Sequence, residues 1–166
     1  MRSSAEFEKF VHGSLPTLSR SAYALTGDAH LAQDLVQETH IRVARHWNRL
    51  TRDDEDVLPY ARKVLYRLWL DSRRWRSRHP EHVTEEEPAV ATSTDESELI
   101  VARLTVKSAL MQLTPRQRAV VVLRFLEDRS EAEVAELLGQ TVPTVHALVQ
   151  RALAQLRIRY PELEFK

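Results

Sequence analysis

Residues 130–157 read SEAEVAELLGQTVPTVHALVQRALAQLR, a pattern that describes two helices meeting at a tight turn. Ser130 and Glu133 form a capping box, in which the serine hydroxyl and the glutamate side chain satisfy N–H groups that a helix start leaves unpaired. The short helix that follows, Glu131–Leu138, stops at Gly139, a residue that takes the left-handed backbone of a helix end without a Cβ clash. Thr141 caps a longer helix, Val142–Arg159, with Pro143 in its first turn, where a missing N–H costs nothing. Small Ala135 lets the two helices cross closely, while Val134, Leu138, Val145 and Val149 fill the angle between them. A glycine turn alone also serves plain bundles, but the agreement of cap, turn and apolar spacing favours a helix-turn-helix.

On the second helix Val145, Val149, Ala152 and Leu156 share one face, and His146, Ala147, Gln150, Arg151, Ala154 and Arg157 occupy the rest. A recognition helix needs polar donors near its start to reach base edges in the major groove, and His146, Gln150 and Arg151 can supply them. His146 carries little weight alone, because a lone surface histidine is usually only solvated.

Upstream, everything outside one acidic segment also reads as helix. Thr114-Pro115-Arg116-Gln117 is a second capping box with proline in the first turn; Leu99–Leu113 precedes it and Val120–Leu126 continues it. Near the start, Ser3-Ser4-Ala5-Glu6 caps a helix whose apolar residues run from Phe7 to Leu25, with a kink expected at Pro16. Thr26-Gly27-Asp28 closes that helix, and Asp28 caps a second that runs to about Leu50. A third begins near Val57 and reaches about Arg78. Almost nothing alternates with period two, so the expectation is an all-α chain of two small helical bundles.

The 166 residues carry 24 Lys+Arg and 24 Asp+Glu, a balance that would by itself argue against a nucleic-acid partner. The distribution reverses that inference. Residues 80–98 contain no Lys or Arg but seven acids, while residues 51–79 and 99–166 each have three more cations than acids. The acidic segment, with Pro80, Pro88 and a Ser/Thr cluster, reads as a flexible linker, because so few large apolar side chains cannot offset chain entropy. The expected organisation is therefore an N-terminal helical domain over 1–79, a linker over 80–98 and a helix-turn-helix domain over 99–166. Zero cysteines exclude disulfides and thiol chemistry, and three scattered glycines cannot assemble a phosphate-binding loop. The seven histidines show no metal-ligand spacing. No apolar run is long enough for a membrane, and the start does not resemble a signal peptide, so a cytoplasmic location is expected.

The third helix, PYARKVLYRLWLDSRRWRSR, carries seven Lys/Arg against one Asp between Val57 and His79. At about 100° per residue, Ala61, Val64, Leu65, Leu68, Ser72 and Trp75 form the expected core face. The opposite side collects Lys63, Tyr66, Arg67, Leu70, Arg73 and Arg74, flanked by Arg62, Trp69 and Arg76. Interleaved cations and rings suit single-stranded nucleic acid, with cations tracking phosphates and rings stacking on unpaired bases. Tyr66 and Trp69 read equally well as such platforms or as rings packed on the first helix. The second helix shows a mixed, acid-leaning surface, Gln33, Asp34, Gln37, Glu38 and Arg42, beside its apolar stripe.

The runs TGDAHLAQDLVQETHIRVARHW, LPYARKVLYRLWLDSRRWRSR and LTPRQRAVVVLRFLEDRSEAEVAELLGQTVPTVHALVQRALAQLR occur in the order found in bacterial extracytoplasmic-function sigma factors. The chain resembles the actinobacterial branch of these initiation factors over nearly all of residues 5–160 outside the linker. The resemblance implies a protein without catalytic residues, cofactor, metal or small-molecule substrate, whose partners are core RNA polymerase and promoter DNA. It implies that Asp34, Gln37, Glu38 and Arg42 face the β′ clamp helices. It assigns Lys63, Tyr66, Arg67, Trp69, Arg73 and Arg74 to the −10 element, and Arg118, Thr144, His146, Gln150, Arg151 and Arg157 to the −35 element. It further implies that the acidic linker threads through polymerase channels, and an anti-sigma factor could cover the apolar and basic surfaces of both bundles.

Two departures stand out. Family members usually carry Lys-Ser-Arg early in the recognition helix after Gly-Thr-Val, where this chain has Pro143-Thr144-Val145-His146-Ala147-Leu148. Two cations are lost, so phosphate attraction is expected to be weaker or the −35 sequence unusual. Arg67 also stands where this branch often has Asn. The competing reading is a stand-alone helix-turn-helix regulator whose N-terminal bundle serves dimerisation or sensing; it would bind duplex DNA without polymerase.

Overall fold

The computed structural model describes residues 4–80 and 97–163; the linker expectation falls mainly on 81–96, outside the described residues. Every regular element among the described residues is helical. The chain divides into two compact units, Met1–Ser72 and Arg73–Lys166.

In the first unit α1 spans Ser4–Thr26, α2 Ala29–Arg45, α3 Trp47–Leu50, and α4 begins at Leu58 and runs to Arg78. Pro16 sits within α1, which continues through it as one helix. The α1–α2 connection forms as its sequence dictates. Gly27 takes φ +67°, its N–H reaches the Tyr23 carbonyl at 2.8 Å, and Asp28 accepts the Leu31 N–H at 2.9 Å. The helix expected to continue to Leu50 breaks at His46, whose φ of −112° and ψ of 8° lie outside the α-helical region. The chain restarts there as α3, which places Trp47 against Phe7 (5.2 Å between rings, edge-on) and Phe10 (5.5 Å).

The core of this unit gathers Leu18, Ala22 and Leu25 of α1, Val36 and Val43 of α2, Trp47, Val57, and Ala61, Leu65, Tyr66 and Trp69 of α4. This corrects the helical wheel of α4. Tyr66 is fully buried and Trp69 is 3% exposed, whereas Ser72 is exposed and Trp75 is 49% exposed. A buried ring contributes on the order of 3 kcal/mol, so the unit turns α4 to bury its two central aromatics rather than Val64 and Leu68. Arg62, one turn from Tyr66, is carried inward with them.

In the second unit α5 spans Ser97–Met111, α6 Pro115–Val121, a π-helical turn Val122–Leu126, α7 Glu131–Leu138 and α8 Val142–Arg159. Both capping boxes form, at Thr114/Gln117 and at Ser130/Glu133. Where the sequence suggested that α6 simply continues, the Glu127 N–H bonds the Val122 carbonyl at 3.0 Å, five residues back, and widens the last turn. At the end of α7, Gly139 takes φ +64°; its N–H bonds the Glu136 carbonyl, and the Gln140 N–H bonds that of Ala135. That pair of bonds is a Schellman closure. Thr141 then caps α8 by accepting the Thr144 N–H. Ala109, Leu113, Val121, Ala152 and Leu156 form a core cluster, with Leu110, Phe125, Tyr160 and Leu163 packed on it. The first two turns and the middle of α5 are different: Leu99, Val101, Leu104 and Val106 are exposed.

Candidate functional site

Three surfaces emerge. On the first unit, α1 and α2 pack side by side and leave a groove of about 460 Å³, lined by Phe7, Val11 and Leu15 on one wall. Gln33, Val36, Gln37, His40, Ile41 and Ala44 line the other. Behind the groove lining, His40 Nε2 lies 2.9 Å from the Oγ of buried Ser14, and burial holds the imidazole pKa below its usual value. Of the four residues assigned to this surface by resemblance, Gln37 lines the groove, and Asp34 and Arg42 are exposed. Arg42 Nε donates to Glu38 Oε1 at 3.2 Å, an i,i+4 pair with both side chains about half exposed. The surface is thus apolar in its trough and charged along the α2 rim.

The second surface runs along α4. Lys63, Arg67 and Arg74 are exposed, and Arg73 is half-buried, its pKa lowered by burial and by neighbouring Arg76. The two rings proposed as stacking platforms are not on it. Tyr66 and Trp69 belong to the core, because the helix is rotated as described above. The accessible ring is Trp75, stacked on His79 at 4.4 Å and 15°, with His79 Nδ1 held 2.9 Å from the Trp75 carbonyl. Sequence reasoning placed Trp75 in the core and so missed it.

The third surface is α8. It buries Val145, Val149, Ala152 and Leu156 and leaves Thr144, His146, Gln150, Arg151 and Arg157 exposed, so the predicted division of its faces is the one observed. Thr144 serves its own helix start, with its hydroxyl 2.8 Å from that of Thr141. His146 Nδ1 lies 3.0 and 3.1 Å from the two carboxylate oxygens of Glu131 on α7.

Arg118 departs from its assignment. It is 4% exposed, and its guanidinium donates to the carbonyls of Leu110 (2.8 Å), Leu113 (3.2 Å) and Met111 (3.5 Å). It closes the C-terminus of α5, whose last carbonyls have no partner within the helix. Burial brings its pKa down to about 10, which still leaves it charged at neutral pH. The clue in sequence was its place: one turn into a helix that starts after a three-residue break from α5, an arginine faces back onto those carbonyls.

The arrangement defines an all-α DNA-binding protein with a helix-turn-helix in one unit and a basic helix leaving the other. Residues 10–79 match the family model for Sigma-70 region 2, and residues 103–156 that for Sigma-70 region 4. The chain is 36% identical over 152 residues to an RNA polymerase sigma-E factor of Streptomyces avermitilis, covering 92% of this chain and 83% of the relative. It is 32% identical to the ECF RNA polymerase sigma factor SigL of Mycobacterium tuberculosis, over 88% of this chain and 84% of that one. Among solved structures it resembles CnrH in complex with the cytosolic domain of CnrY (TM-score 0.68, 20% identity, 98% of this chain and 92% of that one). It also resembles the sigma factor RpoE in complex with the anti-sigma factor NepR from Bartonella quintana (TM-score 0.67, 23% identity, 92% and 94% covered). The chain belongs to the extracytoplasmic-function sigma factors. It binds core RNA polymerase and directs promoter recognition at initiation, which sets aside the stand-alone regulator.

Proposed function

We propose that the three surfaces divide the work of a sigma factor. The observation that carries the division is the clean split of α8: an apolar stripe is buried on α6 and α7 while His146, Gln150, Arg151 and Arg157 face outward, as a major-groove reader requires. In this reading α8 contacts the −35 element, with Thr144 at its capped start. Lys63, Arg67, Arg73 and Arg74 follow the phosphates of the melted −10 strand, and Trp75 takes the stacking role first given to Tyr66 and Trp69. The α1–α2 groove and its rim, Asp34, Gln37, Glu38 and Arg42, receive the polymerase clamp helices. An apolar trough supplies contact area there, and rim charges set register.

In the same reading a polymerase-docking and −10 domain spans 1–79, an acidic linker 80–98 and a −35 domain 99–166, while the compact units divide at Ser72. The linker's last two residues, Ser97 and Glu98, already belong to α5. The protein works in the cytoplasm and performs no covalent chemistry of its own, which is left to the polymerase. The sigma factor RpoE, which has a similar fold, is in complex with an anti-sigma factor; in this reading an anti-sigma partner for this chain would cover its own apolar and basic surfaces.

Run-off transcription with purified core polymerase and a promoter library tests the division. Reversing Asp34 and Glu38 together should abolish polymerase binding while circular dichroism stays native. Unchanged binding would remove α2 as the docking surface.

A further inference from the structure

We propose that Glu131 is a positioning residue for base readout: it fixes the tautomer of His146, so that this histidine reads a base-pair amine through Nε2. The proposal rests on α8 being the −35 reader. Glu131 is the first residue of α7 and His146 lies in the second turn of α8, so the bond between them crosses the angle of the helix-turn-helix. Both carboxylate oxygens approach the same nitrogen, at 3.0 and 3.1 Å. A carboxylate can only accept, so Nδ1 must carry the proton. In the uncharged ring that leaves Nε2, on the far edge, as a lone-pair acceptor, and among the described residues it has no hydrogen-bond partner.

The side chain is 58% exposed and lies one turn before Gln150 on the outward face of α8. In the major groove an acceptor pairs with the exocyclic amine of adenine or cytosine and is repelled by O6 and N7 of guanine and by O4 of thymine. An untethered histidine would offer either tautomer and discriminate poorly. Glu131 removes that ambiguity and also holds the ring in one orientation before DNA arrives, which lowers the ordering cost of binding. A carboxylate beside a phosphate-facing helix otherwise costs attraction for DNA. The N-terminus of α7 compensates part of that cost through its dipole, and the bond to His146 gives the charge a function.

The test uses holoenzyme assembled from core polymerase and the full chain, transcribing a library randomised across the −35 element, with the transcribed promoters sequenced. The wild type should show one −35 position that favours A or C by about fivefold, the scale of a single base-edge contact. Glu131→Met should bring that position close to equal use of the four bases and leave the others unchanged. Glu131→Lys, whose ammonium can only donate, should force the proton onto Nε2 and move the preference at the same position to G or T. His146→Ala should erase the preference and serves as the reference if either Glu131 variant melts early. A wild-type preference for G or T at the position lost in His146→Ala overturns the tautomer assignment. So does a Glu131→Met profile identical to wild type, or a His146→Ala profile identical to wild type. Gln150→Ala and Arg151→Ala separate the two levels. If neither they nor His146→Ala alters any −35 position, α8 is not the reader. If they alter the profile and Glu131→Met does not, only the positioning role fails.

Discussion

The helix-turn-helix and α4 present the same problem to a reader of sequence, an amphipathic helix with a face to be assigned, and they resolve it differently. In α7 and α8 each decisive choice is made within a few residues: Ser130 with Glu133, Gly139 at φ +64°, Thr141 with Thr144. In α4 the choice depends on which side chains the rest of the unit has room to bury. Tyr66 and Trp69 went inside and Trp75 stayed out, although their spacing on the wheel allowed the reverse. Local hydrogen-bond chemistry specifies where helices begin and end, whereas tertiary packing specifies how they are rotated.

The largest effect expected from this contrast is on stability. Trp69→Ala should destabilise the first unit by about 3–5 kcal/mol in urea unfolding, as a large-to-small change in a packed core does. Trp75→Ala should cost within about 0.5 kcal/mol, as exposed positions do, yet reduce permanganate reactivity of the melted −10 region. A larger loss from Trp75→Ala than from Trp69→Ala would restore the wheel expected from sequence. Next, Arg118→Met should cost about 2–3 kcal/mol, because it strands carbonyls at the end of α5 that a charged donor now satisfies. It should leave sequence preference at the promoter unchanged, and altered preference would return Arg118 to the DNA surface. Gly139→Ala should cost about 1 kcal/mol. The added Cβ meets no atom within 4 Å, so the loss measures left-handed backbone strain alone. The smallest effect concerns His40. Its folded pKa is lowered, so the unfolded chain takes up the proton first; stability is full above the ordinary histidine value near 6.5 and falls as the pH drops below it. His40→Gln should remove that slope from the melting temperature measured between neutral and acid pH.

Much of the fold was therefore legible, because caps, glycine stops and apolar spacing are written in contiguous residues. The exposed half of the candidate site was legible too: Asp34, Gln37, Lys63, Arg67, Arg74, Gln150, Arg151 and Arg157 all lie at the surface. What the sequence did not show were pairings across distance. Arg118 reaches carbonyls five to eight residues back across a helix junction, and His146 meets Glu131 fifteen residues away. Neither follows from composition or periodicity, since both depend on the angle at which two helices meet.

The half-bare α5 has a practical meaning. Leu99, Val101, Leu104 and Val106 give the free chain an adhesive stretch, and a formal charge of zero gives it no mutual repulsion to keep copies apart. Salt and concentration will therefore govern how this protein behaves in the tube as much as its folding stability does. A purification buffer well away from neutral pH, or a binding partner added early, addresses the colloidal problem at its source.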